Sequence, residues 1–414
     1  MGTQPVPRAQ ALENKRWFPL LILATICISY FVENYLRSAA SALTPVLIIE
    51  LQTSKAMMGL LVTAYSLIYG IMQIPAGMFT DTFGPRKTIL GFTALTVTGV
   101  ALFWVSYRLE LLFAAQFIIG VGCSVFYINA VTMIGKWFPA ERRATAIGIL
   151  SAASGIGMFT SYMGFPLANE FLGGWRNLYL IMGVVLLANY AMNFAILKNG
   201  PNGNGIVKRS SRNLSKSFGE VVKDHRIYPF LVGYVLLSFG WVFYSWMPQF
   251  LIDTKSFTYL EAGTISSIGS IAGIPGCIAM GFISDKLRRR KLPIVVFASL
   301  YTTALAAFIL APAGFSKVAF GALSFVISFS SSLWILFFSM VPEVLPSQKA
   351  AIGLGLVNGL GTMGFSFITP VYGALIDATG SYYLSNILVI ANALIMTGIM
   401  VVFTKETYGN VAKE

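Results

Sequence analysis

An acid and a base stand four residues apart deep inside a long apolar run, in Tyr30-Phe-Val-Glu33-Asn34-Tyr-Leu-Arg37. The run extends from Trp17 to Glu50, so at 1.5 Å per helical residue both charges lie about 20 Å or more from either end. A charge within hydrocarbon costs about 2.5–3.5 kcal/mol on insertion scales, and residues kept at that cost mark ion or substrate pathways. The i, i+4 spacing puts Glu33 and Arg37 on one helix face, where they can pair, with Tyr30 and Asn34 on or beside it. Arg37 offers a planar fork of donors suited to a carboxylate. Glu33 is the protonatable group. An anion bound at Arg37 competes for the same positive charge and so favours proton uptake by Glu33, a simple route to symport. The competing reading is a permanent ion pair that only steadies the helix.

Other reactive chemistry is sparse. Cys27, Cys123 and Cys277 stand singly in apolar stretches, and the one histidine, His225, sits in a polar connector where it reads as solvated. Neither has metal-ligand spacing. There is no nucleotide-binding loop and no nucleophile elbow. The expectation is no enzyme: no catalytic residue, no metal site and no cofactor.

The elements that must carry Glu33 and Arg37 follow from composition. The chain has 414 residues, 56% of them apolar and 11% charged, with mean hydropathy +0.73. A soluble domain carries about 25% charged residues. The net charge of +13 lies between apolar runs too long for a nucleic-acid binder, so no nucleic-acid partner is expected. Residues 1–16 are polar and the run from Trp17 is too long for a signal peptide, so it reads as the first of twelve spans. These run over 17–49, 56–80, 87–107, 109–136, 143–169, 176–197, 227–252, 259–284, 292–312, 317–341, 348–377 and 382–404. Helices are required because open strands cannot satisfy their backbone in lipid.

Charge sets the sidedness. With the N-terminus inside, inner segments hold 23 of the 29 Lys and Arg residues and outer turns hold five, Lys55, Arg108, Arg176, Lys255 and Lys317. Both termini are therefore expected in the cytoplasm. The Asn/Gly-rich, then basic connector at 198–226 reads as a flexible linker between halves 1–197 and 227–414. Its Asn213-Leu-Ser215 sequon should stay unmodified on that face.

The halves repeat. Gly77-Met-Phe-Thr-Asp81, with Arg86 and Lys87, recurs as Gly281-Phe-Ile-Ser-Asp285, with Arg290 and Lys291, at a fixed offset of 204 residues. Pro139-Ala-Glu-Arg142 and Gly148 recur as Pro346-Ser-Gln-Lys349 and Gly355, at an offset of 207. Repeated six-helix halves point to a rocking transporter with a central site. Gly77 allows close helix approach, and Asp81 can pair with basic groups of the loop.

With its Gly-x-x-x-Asp loop present twice, the chain resembles the major facilitator superfamily over essentially its whole length. Three segments are similar to the anion:cation symporter type: Asn34-Tyr35-Leu36-Arg37-Ser38, Tyr244-Ser-Trp246-Met-Pro248, and Asn358-Gly-Leu-Gly-Thr-Met-Gly364. The first lacks that family's Asp before the Arg. On the fourth span the family's Arg, Gly and Glu positions read Gln116, Gly120 and Cys123. The resemblance implies an all-α membrane protein of twelve helices in two pseudo-symmetric six-helix bundles, working by alternating access. It implies a substrate site from Arg37, Asn34, Tyr30, Gln116, Tyr127, Tyr244, Trp241, Ser331 and Asn358, with Glu33 as the proton carrier. It implies gates from Asp81, Arg86, Lys87, Arg142, Asp285, Arg290 and Glu343. The expected function is proton symport of a small, carboxylate-bearing metabolite, an organic acid or an amino acid, by a monomer in a bacterial inner membrane. The alternative is efflux of amphipathic, drug-like or siderophore-like compounds. A channel or receptor would not need a duplicated gate loop.

Overall fold

The structure, a computed structural model, describes residues 17–200 and 214–408. Hydrocarbon offers backbone groups no partner but the chain itself, and each apolar run closes into helix. The first half holds α1 (Phe18–Glu50), α2 (Lys55–Phe83), α3 (Pro85–Val105), α4 (Leu109–Cys123), α5 (Phe126–Trp137), α6 (Ala140–Phe171) and α7 (Trp175–Ile196). After α8 (Leu214–Lys223) the second holds α9 (Tyr228–Lys255), α10 (Tyr259–Leu287), α11 (Lys291–Leu310), α12 (Lys317–Ser331), α13 (Trp334–Val344), α14 (Ser347–Thr379) and α15 (Tyr383–Phe403). Among the described residues there are 12 helical segments long and apolar enough to cross a membrane, as the sequence indicates. They form the two six-helix bundles of the expected fold.

Two details correct the sequence reading. The fourth and tenth spans are each broken, α4 from α5 and α12 from α13, at corresponding places in the two halves. A serine sits at each break: Ser124 Oγ donates to the Val121 carbonyl at 2.7 Å, and Ser332 Oγ to the Ser328 carbonyl at 3.4 Å. Short hydroxyl side chains compete with helical backbone bonding in this way. The connector read as flexible ends in the helix α8, held by buried Val221 and a Glu220–Lys349 ion pair at 2.8 Å. Its basic residues Lys208, Arg209 and Arg212 and the sequon Asn213 lie outside the described residues, as do Arg8, Lys15, Arg16 and Lys413. His225 is exposed, as expected.

Each half has its own polar stitching. Ser29 Oγ donates to Asn189 Oδ1 at 2.7 Å, and Asn189 Nδ2 to the Thr25 carbonyl at 3.1 Å, tying α1 to α7. In the second half Asn392 Nδ2 donates to the Leu236 carbonyl at 2.8 Å, tying α15 to α9. One residue, Gly84, makes the whole turn between α2 and α3, and its φ of +81° is one that favours glycine.

Among the described residues, contact between the halves lies at one end and in the middle. There α2 and α14 run antiparallel: Thr63 Oγ1 donates to the Ser366 carbonyl at 2.7 Å, and Ser366 Oγ to Ser66 Oγ at 2.8 Å. A Cβ at Gly59 would sit 2.6 Å from Pro370 Cα, and one at Gly70 3.3 Å from Thr362 Cγ2. On the other side α6 meets α10, where a Cβ at Gly155 would sit 2.7 Å from Ile274 Cδ1. At the tip, Asp377 of α14 caps α2 by accepting from the Lys55 and Ala56 amides at 3.2 and 2.7 Å. Lys55 also pairs with Asp253 of α9 at 3.0 Å. Seven residues beyond the last contacts, Gly77, Gly148, Gly281 and Gly355 have nothing within 4 Å. So the expected close approach at Gly77 is not made in this conformation: the halves are joined at the Asp377 end and splayed at the Asp81 end.

A carboxylate at a helix N-terminus stabilises it by ~0.3–1 kcal/mol, and up to ~2 kcal/mol when partly buried. Asp377→Ala should therefore shift the conformational equilibrium ~2- to 30-fold toward opening at this end. The check is the maleimide labelling rate of a cysteine at Ser66, in a background with Cys27, Cys123 and Cys277 replaced by alanine. An unchanged rate would remove the cap from the closure.

Candidate functional site

From Val32 to Pro45 every residue of α1 is buried except Arg37, which is exposed. A helix facing lipid exposes a stripe at i, i+3, i+4 and i+7. A single exposed position on a helix buried all round means instead that the side chain enters an open space inside the protein. The Arg37 guanidinium stands 5.4 Å from the centre of the Tyr69 ring of α2, a cation–π distance. Tyr30 and Tyr127 pack ring to ring at 5.5 Å, and Tyr127 is 41% exposed, so this space extends from Arg37 toward the splayed end. Tyr234 of α9, from the other half, is within Coulombic range of both Arg37 and Tyr127. Trp241 meets Tyr234 edge to face at 5.7 Å. Half-buried Asn358 lies one turn before Gly361, where a Cβ would strike the Tyr234 ring.

Glu33 departs from expectation. It makes no ion pair with Arg37 among the described residues, although the two are one turn apart. Its side chain is fully buried and neither carboxylate oxygen has a hydrogen-bond partner. It sits in a pocket shared with Tyr65 and Tyr69 of α2 and Cys123 of α4, while Arg37 reaches the open space. Helical spacing sets only the separation of the Cβ atoms. Which contacts follow depends on the neighbouring helices, and here Tyr65 and Tyr69 of α2 stand near both groups.

Four more expected substrate contacts are displaced. Gln116 is fully buried and its amide atoms have no partner, so it does not reach the open space. Asn34 is buried, with Nδ2 donating to the Tyr30 carbonyl at 2.9 Å. Ser331 is buried and donates to the Ser328 carbonyl at 2.9 Å. Tyr244 donates its hydroxyl to the Ser266 carbonyl and packs against Tyr162, inside the joined interface rather than beside Arg37. Tyr65 and Tyr69 are the residues that sequence reasoning missed. Their own i, i+4 spacing on the second span, matching that of Glu33 and Arg37, was the available signal.

The loops at the splayed end are unequal. Arg290 bridges Asp285 at 2.8 Å and Glu343 at 2.9 Å, and Thr407 Oγ1 donates to Glu343 at 2.5 Å. Glu406 joins them. Partial burial opposes its charge, but the amides of Arg290, Tyr408, Lys291 and Thr407 hold its carboxyl below the usual range. In the first half Arg86 donates to the Phe194 carbonyl at 2.7 Å instead. Lys87 and Arg142 are exposed. Asp81, expected to pair with a basic group, is exposed and makes no ion pair among the described residues.

The chain is similar to a probable galactarate/D-glucarate transporter, GudP, of Bacillus subtilis (strain 168), at 25% identity over 92% of this chain and 90% of that one. It is also similar to a probable sulfoacetate transporter, SauU, of Cupriavidus necator, at 25% identity over 91% of each. Among solved structures, a bacterial homolog of the human lysosomal transporter Spinster matches with a TM-score of 0.76 and 14% identity, covering 94% of this chain and 97% of that one. The family model for the Major Facilitator Superfamily matches residues 26–370. Twelve spans, two repeated bundles and this match give one conclusion: the chain belongs to the Major Facilitator Superfamily, a multi-pass membrane transporter of small molecules and not an enzyme.

Proposed function

We propose that this chain is a proton-coupled symporter of a small carboxylate-bearing metabolite. The observation that carries the reading is Arg37, the one exposed position on an otherwise buried stretch of α1. A guanidinium in a low-dielectric space binds a carboxylate by two parallel charge-assisted hydrogen bonds. The names of the relatives, transporters of sugar diacids and of sulfoacetate, support an anionic substrate. Tyr30, Tyr69 and Tyr127 line the anion's surroundings from the first half, and Tyr234, Trp241 and Asn358 close on it from the second.

Glu33 is the proton carrier in this reading. Its side chain is buried next to Arg37, whose positive charge favours the carboxylate in the empty carrier; substrate bound at Arg37 weakens that attraction and favours proton uptake. The halves 1–197 and 227–414 rock about the site, and 198–226 links them. The 23-to-5 distribution of basic residues supports a cytoplasmic location for the splayed end and both termini. The protein works as a monomer in a bacterial inner membrane. Asp81, Arg86, Lys87 and Arg142 of the first half and Asp285, Arg290 and Glu343 of the second form the cytoplasmic gate.

Proteoliposome transport of radiolabelled gluconate and glucarate tests the coupling. Wild-type uptake should fall as the outside pH rises, because protons then leave Glu33 unoccupied. One pH unit of inward gradient should sustain ~10-fold accumulation if one proton moves with each substrate. Glu33→Gln should keep substrate exchange but lose accumulation and pH dependence. Gradient-driven accumulation by Glu33→Gln would remove the proton carrier.

A further inference from the structure

Arg37 is the only cation set deep in a span among the described residues. Every other Lys, Arg and His of the spans lies within the first or last two turns of its helix. The same holds for acids, with Glu33 the sole exception. The titratable groups facing Glu33 are Tyr30 and Arg37 of α1, Tyr65 and Tyr69 of α2, Cys123 of α4 and Tyr127 of α5. The second half brings Tyr234 toward Arg37, and among its described residues no cation lies deep in a span. The central site thus holds one positive and one protonatable negative group, and nothing else to balance charge.

We infer that the substrate is a monoanion, carrying one carboxylate and no second charge, and that it moves with one proton in an electroneutral cycle. This rests on the reading of Arg37 and Glu33 above and specifies it. In the empty carrier the Glu33 carboxylate and the Arg37 guanidinium sum to zero. In the loaded carrier a proton from the outer water is bound to a Glu33 oxygen and the substrate carboxylate is on Arg37, and the sum is again zero. The proton leaves to the inner water when the substrate does. Both forms can therefore reorient without carrying a net charge through the low-dielectric middle of the bilayer. A diacid, such as the substrates named for GudP, would leave one carboxylate unmatched when the site closes. An unmatched charge at that depth disfavours the closed state by ~100-fold. The aromatic walls give no compensating donor charge.

The test uses acids that differ by one carboxylate on the same skeleton: gluconate against glucarate, galactonate against galactarate, and benzoate against phthalate. Binding is read by thermal shift of the detergent-purified full chain, and transport in proteoliposomes clamped with valinomycin and potassium. The tightest ligand should be a monoacid, favoured ~100-fold over its diacid. Its uptake should be unchanged between 0 and −100 mV, whereas one net charge per cycle would change the equilibrium accumulation ~50-fold. A diacid that binds as well as its partner, or accumulation driven by voltage, overturns the inference. Binding of a monoacid that is undiminished in Arg37→Ala overturns the site reading itself. Binding of none of these acids overturns both.

Discussion

Arg37→Ala should abolish substrate uptake, lowering kcat/KM ~100-fold or more. A hydrogen bond to a charged group contributes about 1.5–3 kcal/mol, and each 1.36 kcal/mol is tenfold. Arg37 makes no ion pair in the described structure, so its guanidinium is available to a ligand without first breaking one. The loss should therefore appear in binding as well as in turnover. Arg37→Lys keeps the charge but replaces the planar fork by a single strongly hydrated ammonium. It should recover uptake only in part, remaining ~10-fold below wild type, since one of two parallel bonds is lost. Folding is not expected to suffer, because the side chain projects into open space. Quenching of Trp241, which stands beyond Tyr234 from Arg37, gives a direct binding readout. Wild-type affinity in Arg37→Ala would refute the assignment.

The second large effect concerns the rocking motion. Gly59 of α2 and Gly148 of α6 lie on helices that meet partners across the halves, at opposite ends. A Cβ at Gly59 meets backbone, Pro370 Cα at 2.6 Å and the Thr369 carbonyl oxygen at 2.8 Å, which cannot yield as a side chain would. Gly59→Leu should wedge open the end that is now joined. Gly148 has open space around it, so Gly148→Leu fits the present conformation unchanged. It should fail in the other one. Gly70 meets Thr362 and Gly155 meets Ile274 in the middle of the interface. Seven residues further along each antiparallel pair, on the same helix faces, stand Gly77 with Gly355 and Gly148 with Gly281. Continued zipping would bring glycine against glycine in both pairs, a spacing that suits close backbone approach.

Both substitutions should reduce uptake ~100-fold, since each removes one of the two states the cycle needs. A cysteine at Ser66 separates them, because that residue is buried between the halves at the joined end. Gly59→Leu should make it label rapidly, and Gly148→Leu should protect it. Protection in both variants, or rapid labelling in both, would refute the opposed roles.

The amino-acid sequence by itself determined the number of spans, the duplicated halves and the depth of Glu33 and Arg37. Those properties are local: apolar run length against bilayer thickness, a repeated loop, and a rise of about 1.5 Å per residue. It also singled out Arg37, which in the structure is the exposed position on an otherwise buried stretch of α1. It could not tell that Tyr65 and Tyr69 of another helix stand near Glu33 and Arg37, because i, i+4 spacing within one helix carries no information about contacts between helices. Gln116, Asn34 and Ser331 sit on spans expected to line the pathway, yet face packed protein. In membrane helices with apolar residues all round, the pattern of hydropathy does not say which face meets lipid, protein or cavity. Which end of the molecule is joined, and which glycines touch backbone and which face open space, was decided only by tertiary structure. One sequence supports both arrangements, since they differ in how two rigid bundles lean on each other and not in the bundles themselves.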